Sequence, residues 1–355
     1  MTRSWTLFVV AFMLLPVALI AKSVETTSGI IYIQNKQYEE ARKILLKAID
    51  KDPKDGEAHF YLGLAYSEMD SVALAYNHFT KAKELEPKKA RDIANNIQSN
   101  YARHYKAGQD AFKQQDVNRA AAQFELATQA DPTQSAGHYN LAVMYSRLAQ
   151  IDSTYEVKAL AGAEKVLELA PPSDANYTRA LQLAVRSLAQ LGRVDEAVGR
   201  VQAMIDKDPS KYPAVEEIGN ELYNARNYKG AEPILIIAAN ERAKAGADDF
   251  DVYSKIAGSA LAQRKEDPAK IEVAIEYYTR ALDLKSDDAP TVLNLMVAHM
   301  AKEDWGGAAM WGEKYVQANP NDATAWQYLA SCYGEMGETD KASEALQRFQ
   351  QLKGQ

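Results

Sequence analysis

Leu62-Gly63-Leu64-Ala65-Tyr66, then Ala75-Tyr76-Asn77-His78-Phe79-Thr80-Lys81-Ala82, then Pro87, is the stretch on which the fold turns. Its grammar recurs on both sides. The preceding segment reads Gly29, Tyr32, Ala41, Leu45, Ala48, Pro53, and the following one Gly108, Ala111, Ala120, Phe124, Ala127, Pro132. The last repetition runs Trp326, Leu329, Tyr333, Ala342, Leu346, Phe349. One small residue recurs without exception, as Ala41, Ala75, Ala120, Ala159, Ala197, Ala231, Ala274, Ala308 and Ala342. Its successive spacings are 34, 45, 39, 38, 34, 43, 34 and 34 residues, so the period is 34 with insertions and no deletions. Alanine is required where two helix backbones approach closely, because a larger side chain would push them apart. Pro53, Pro87, Pro132, Pro171, Pro209 and Pro320 fall where each second helix must stop, since proline lacks the amide donor and clashes with the preceding turn.

The order L-G-x2-Y, A-x3-F, A, P resembles the tetratricopeptide (TPR) repeat. The resemblance implies an all-α chain: nine antiparallel helix pairs wound into a right-handed superhelix, each contacting only its neighbours and together presenting a concave surface. The units run approximately 22–55, 56–89, 101–134, 135–174, 178–211, 212–245, 251–288, 289–322 and 323–355, so that residues 24–355 form one array. A length of 355 residues alone would suggest two or three domains; the repeat replaces that expectation. Insertions fall at 88–100, which lengthens the helix entering the third unit, at 149–154, at 242–249 and at 264–270.

Composition narrows the function. Forty-one Lys and Arg against 48 Asp and Glu give −7, which argues against a nucleic-acid binder that depends on a basic surface. A single cysteine, Cys332, excludes an internal disulfide and a cysteine zinc site. The five histidines form no His-x-x-x-His or His-Glu-x-x-His pair; His59, His104 and His138 stand where the TPR pattern often has tryptophan and read as packing residues. No phosphate loop or nucleophile elbow occurs, so the expectation is a protein that is no enzyme and needs no metal or cofactor. Twenty tyrosines against eight phenylalanines are partly a count of repeats: Tyr32, Tyr66, Tyr145 and Tyr333 take the repeat's aromatic position and Tyr278 the place of Phe. At the start, Arg3 precedes an apolar run from Trp5 to Ala21, with small residues Ala21 and Ser23 flanking Lys22. That layout reads as an export signal over residues 1–23, with an uncleaved anchor or a buried helix as alternatives. The expected location is the bacterial periplasm, with membrane contact confined to residues 5–21 if these are retained.

In proteins of this kind ligands lie along the first helices of successive pairs. That scheme selects Tyr105, Lys106, Gln109, Lys113, Tyr139, Asn140, Arg147, Arg179, Gln182 and Arg186, five of them cationic and none acidic, followed by Glu216, Asn220 and Tyr223, where the sign reverses. A basic groove with amides and phenols suits an acidic extended segment or a C-terminal carboxylate of a protein partner, since guanidinium grips carboxylate in bidentate fashion. The carboxylate clamp of chaperone-binding members is matched only at Asn140, with Tyr105, Gln109, Arg179 and Leu183 at its other positions. The sequence therefore points to an exported scaffold acting in envelope assembly or trafficking. Self-association by stacking of arrays and a targeting or regulatory subunit of an enzyme complex are the alternative readings.

Overall fold

A computed structural model describes residues 23–354; the apolar run from Trp5 to Ala21, read as a signal or anchor, lies outside the described residues. Every regular element among the described residues is helical. The pairs are α1 (Val24–Gln34) with α2 (Tyr38–Lys51), α3 (Gly56–Glu68) with α4 (Val72–Leu85), and α5 (Ala90–Lys113) with α6 (Val117–Ala130). There follow α7 (Ser135–Leu148) with α8 (Tyr155–Leu169), α9 (Ala175–Gln190) with α10 (Val194–Lys207), and α11 (Tyr212–Asn224) with α12 (Tyr228–Lys244). The chain continues with α13 (Phe250–Gln263) and α14 (Lys270–Leu284), α15 (Ala289–Ala301) and α16 (Trp305–Ala318), and α17 (Ala323–Glu335) and α18 (Thr339–Lys353). Short 3-10 turns at Pro87–Lys89 and Pro209–Lys211 put proline in their first positions, where its missing amide costs no bond. The insertion at 88–100 is absorbed as helix, which makes α5 24 residues long.

The chain divides into two compact units. Among the described residues, one holds 23–107 together with 126–132 and the other holds 108–125 and 133–354. In the first, Leu45, Leu62, Phe79 and Ile93 form the core. In the second, Leu188, Ile218, Leu222, Ile234, Leu235 and Ile256 are fully buried along one continuous cluster. Eight of the nine periodic alanines have no exposed surface, and Ala342 in the last helix is partly covered. The complementary position on the first helix is glycine. A Cβ on Gly63 would stand 2.7 Å from the Phe79 ring and one on Gly219 2.6 Å from Leu235, so the helices of a pair meet with one large side chain seated on bare backbone.

Turns within pairs repeat as well. Lys36, Asp70, Gln115, Gly192, Arg226, Glu303 and Gly337 all adopt positive φ between 57° and 76°, one residue past the cap of the preceding first helix. The next amide in each case bonds back five residues, as Gln37 N to Tyr32 O, Ser71 N to Tyr66 O and Glu338 N to Tyr333 O. This is a helix stop of Schellman type, which satisfies carbonyls left over at the helix end. The α7–α8 and α13–α14 turns lack it, and they are the turns that carry the insertions at 149–154 and 264–270. First helices begin on aspartate caps: Asp55, Asp174, Asp249, Asp288 and Asp322 each accept a backbone amide of the first turn.

Candidate functional site

In the first unit, Tyr105 is half-buried on α5 and its ring stacks on Tyr101 at 5.3 Å, while Lys106 is exposed one residue on. In the second unit, Gln109 and Lys113 are exposed near the end of α5, and Lys113 Nζ lies 3.5 Å from Asp110. From α7 onward side chains of successive first helices are joined across the face. Arg186 on α9 donates to Ser146 of α7 at 3.1 Å and to Glu221 of α11 at 3.0 Å. Gln182 Nε2 donates to Glu217 at 3.4 Å, and Lys255 of α13 donates to Asn220 at 2.8 Å. The cross-helix offset is 35 residues in three of these links and 40 in the one that crosses the 149–154 insertion.

Tyr139, Arg147 and Arg186 meet at one cleft of about 1260 Å³, which Ser146, Glu156, Gln190 and Glu221 also line. Asn140 is half-buried beside Tyr139 on α7; Arg179 is exposed on α9, one turn before Gln182. Arg147 lies with its guanidinium 4.9 Å from the centre of the Phe112 ring and pairs with no carboxylate among the described residues. Glu216 is turned from the groove: it accepts from Arg242 at 2.9 Å, and Arg242 also reaches Asp249 and the Ala247 carbonyl, which pins the 242–249 segment. Tyr223 packs edge-on against Tyr228 at 5.6 Å, and burial pushes its phenol up. Opposite charges pair side by side along this face: Glu221 neutralises Arg186, while Arg147 forms no ion pair among the described residues. Ser146, Gln190 and Glu221 lie outside the set of residues that the sequence selects.

Two groups outside the cleft have displaced titrations. Cys332 is buried, and desolvation pushes its thiol up to about 11, so it stays protonated at neutral pH. His59 and His78 face each other with Nδ1 atoms 2.9 Å apart, and the other His59 nitrogen lies 3.2 Å from the Pro53 carbonyl. Tyr66 stacks on His78. One Nδ1 must donate to the other, so the pair holds at most one charge comfortably. Burial and then the neighbouring His59 push His78 down to about 4, and burial lowers His59 as well. The unfolded chain therefore takes up protons below the ordinary histidine value of 6.5 that the folded chain refuses. Stability is full above pH 6.5, falls as pH drops from 6.5 toward 4, and is level again below that. The expected loss is about 2 kcal/mol after allowance for the partly exposed ring. Urea unfolding of the α3–α4 region at pH 7 and pH 4 should show it, and His78→Gln should flatten it; an unchanged pH slope in that variant refutes the assignment.

A family model described as TPR repeat matches residues 29–70, and one described as tetratricopeptide repeat matches 311–343. The human Superkiller complex protein 3 is 24% identical over 284 residues, which are 78% of this chain and 16% of that protein. A fission-yeast DnaJ homolog subfamily C member 7 homolog is 24% identical over 226 residues, 60% of this chain and 44% of that protein. The chain thus spans less than half the length of these relatives. Among solved structures, the C-terminal part of a TPR repeat-containing protein from Cytophaga hutchinsonii is 19% identical, covers 70% of this chain and 95% of its own, and superposes with a TM-score of 0.45. The chain is a repeat-rich helical protein with tetratricopeptide repeats, a fold that suggests a protein–protein interaction scaffold.

Proposed function

We propose that the chain is a non-catalytic scaffold that holds an extended segment of a partner protein across α7, α9 and α11. The observation that carries this reading is the cleft walled by Tyr139, Arg147, Glu156 and Gln190, where the Arg147 guanidinium forms no ion pair among the described residues and amide and phenol groups flank it. Such a surface suits an acidic segment or a chain-terminal carboxylate: the cation supplies a charge-assisted bond, and amides can pair with the peptide backbone. Arg186 serves the scaffold, since Ser146 and Glu221 already occupy its guanidinium. We extend the proposal to location: residues 5–21 direct export, and the partner belongs to envelope assembly or trafficking.

Fluorescence anisotropy with labelled acidic and basic dodecapeptides tests the groove. Acidic peptides should bind, and Arg147→Glu combined with Arg179→Glu should weaken them about tenfold or more, with the helical melt in place. Equal binding of acidic peptide by the parent and the variant would falsify the reading.

A further inference from the structure

In four helix pairs a glycine of the first helix seats a large side chain of the second, and the fifth pair is built differently. Gly29, Gly63, Gly108 and Gly219 each face a large side chain sixteen residues on, whereas the fifth pair sets Val185 opposite Val201, both fully buried. Two β-branched side chains hold backbones further apart than a glycine seated under a leucine. Helix α10 packs more sparsely on α9 than α2, α4, α8, α12, α14, α16 and α18 do on their first helices, and it also touches α12. A cleft of about 720 Å³ runs along α9 and α10, floored by Leu167, Tyr177, Leu181 and Met204. This cleft shares no lining residue with the groove proposed above and is separate from it.

Its polar wall is cationic. Lys207 and Lys211 line it and form no ion pair among the described residues. Arg200 is already held by Glu164 at 2.5 Å, and the Asp208 carboxylate is taken by the Ser210 hydroxyl and amide. We infer that this cleft binds a monoanionic amphiphile, an acyl chain ending in a carboxylate, with the chain on the apolar floor and the head between Lys207 and Lys211. The volume falls in the range of small-molecule sites, and apolar walls with a few convergent polar groups are their usual make-up. A peptide fits poorly, because the neutral polar side chains of the lining are the Tyr177 and Thr178 hydroxyls, too few for the N–H and C=O of each buried residue. A doubly charged head is disfavoured by the Asp208 carboxylate, which lines the cleft together with the two lysines.

Calorimetric titration of the full chain with dodecanoate, kept below its micelle concentration, is the test. One saturable site is expected, with dodecanol and dodecylammonium at least about tenfold weaker and Lys207→Glu with Lys211→Glu weakening dodecanoate by a similar factor. Met204→Trp, which fills the floor and leaves the charges in place, should abolish the site even if the charge reversal disturbs folding. Absence of saturation, equal binding of dodecylammonium, or unchanged affinity in Met204→Trp overturns the inference. Displacement of dodecanoate at matching concentration by a hexapeptide with a free C-terminal leucine would overturn it too, by assigning the site to chain termini.

Discussion

Replacing Lys270 by methionine is expected to destabilise the second unit by about 3–5 kcal/mol, the loss typical when one partner of a buried ion pair is removed. Glu232, 2% exposed in α12, sits among the apolar side chains that join the sixth pair to the seventh. Its Oε1 lies 2.6 Å from Lys270 Nζ and its Oε2 accepts from Gln263 Nε2 at 2.6 Å. Without the ammonium, a carboxylate is left in a dry setting with one amide donor, and the cost of its desolvation is no longer offset by the ion pair. The double variant Glu232→Leu with Lys270→Met removes both charges and should recover most of the loss, since an apolar pair of similar volume often substitutes for a buried ion pair at little cost. Gln263 remains satisfied in that variant, because the Tyr228 and Ser259 carbonyls already accept from it. Hydrogen exchange in α12 and α14 with guanidinium unfolding reads both variants. A single variant within about 1 kcal/mol of the parent, or a double variant no better than the single, refutes the account.

The helix pairs could be read in the sequence because their contacts repeat. Ala75 and Ala231 are spaced by the repeat and are needed for one reason, close approach of two backbones, so the period carries the information. The tyrosines follow the same logic: Tyr66, Tyr278 and Tyr333 are all buried at the aromatic positions the repeat predicts. Tyr145 sits partly covered near Glu125, and burial, then that carboxylate, push its phenol up to about 12. Pairings between neighbouring pairs were not legible in this way. Arg186 with Glu221 and Lys255 with Asn220 depend on how one pair is set against the next. An offset of 35 on a repeat of 34, shifted to 40 by one insertion, is not a quantity that composition or spacing supplies in advance. Glu216 shows the consequence. Its position on α11 is that of a groove residue, yet Arg242, brought back by the longer α12, claims it from the other side. The cleft along α9 and α10 is a third case, since its lining from Leu167 to Lys211 is contributed by several elements whose mutual setting the repeat period does not state.

That glycine position gives the last prediction. Phe79 is fully buried, and its ring lies where a Cβ of Gly63 would be, at 2.7 Å. Phe79→Ala should cost about 3–5 kcal/mol in the first unit, from lost transfer free energy plus the cavity left above Gly63. Gly63→Leu alone should cost about 3 kcal/mol, because the contact it meets is the fixed edge of a core ring; the better helix propensity of leucine returns less than 1 kcal/mol. Combined, the two changes move the large side chain from α4 to α3 and refill the same space. The double variant should then be more stable than the sum of the single losses by about 2 kcal/mol, a coupling within the range seen for side chains in contact. The helices tolerate the exchange if what they require at this crossing is one large and one small partner, whichever helix supplies each. Strict additivity would show instead that Gly63 is needed for the α3 backbone itself, and hydrogen exchange of the α3 amides in the double variant separates the two outcomes.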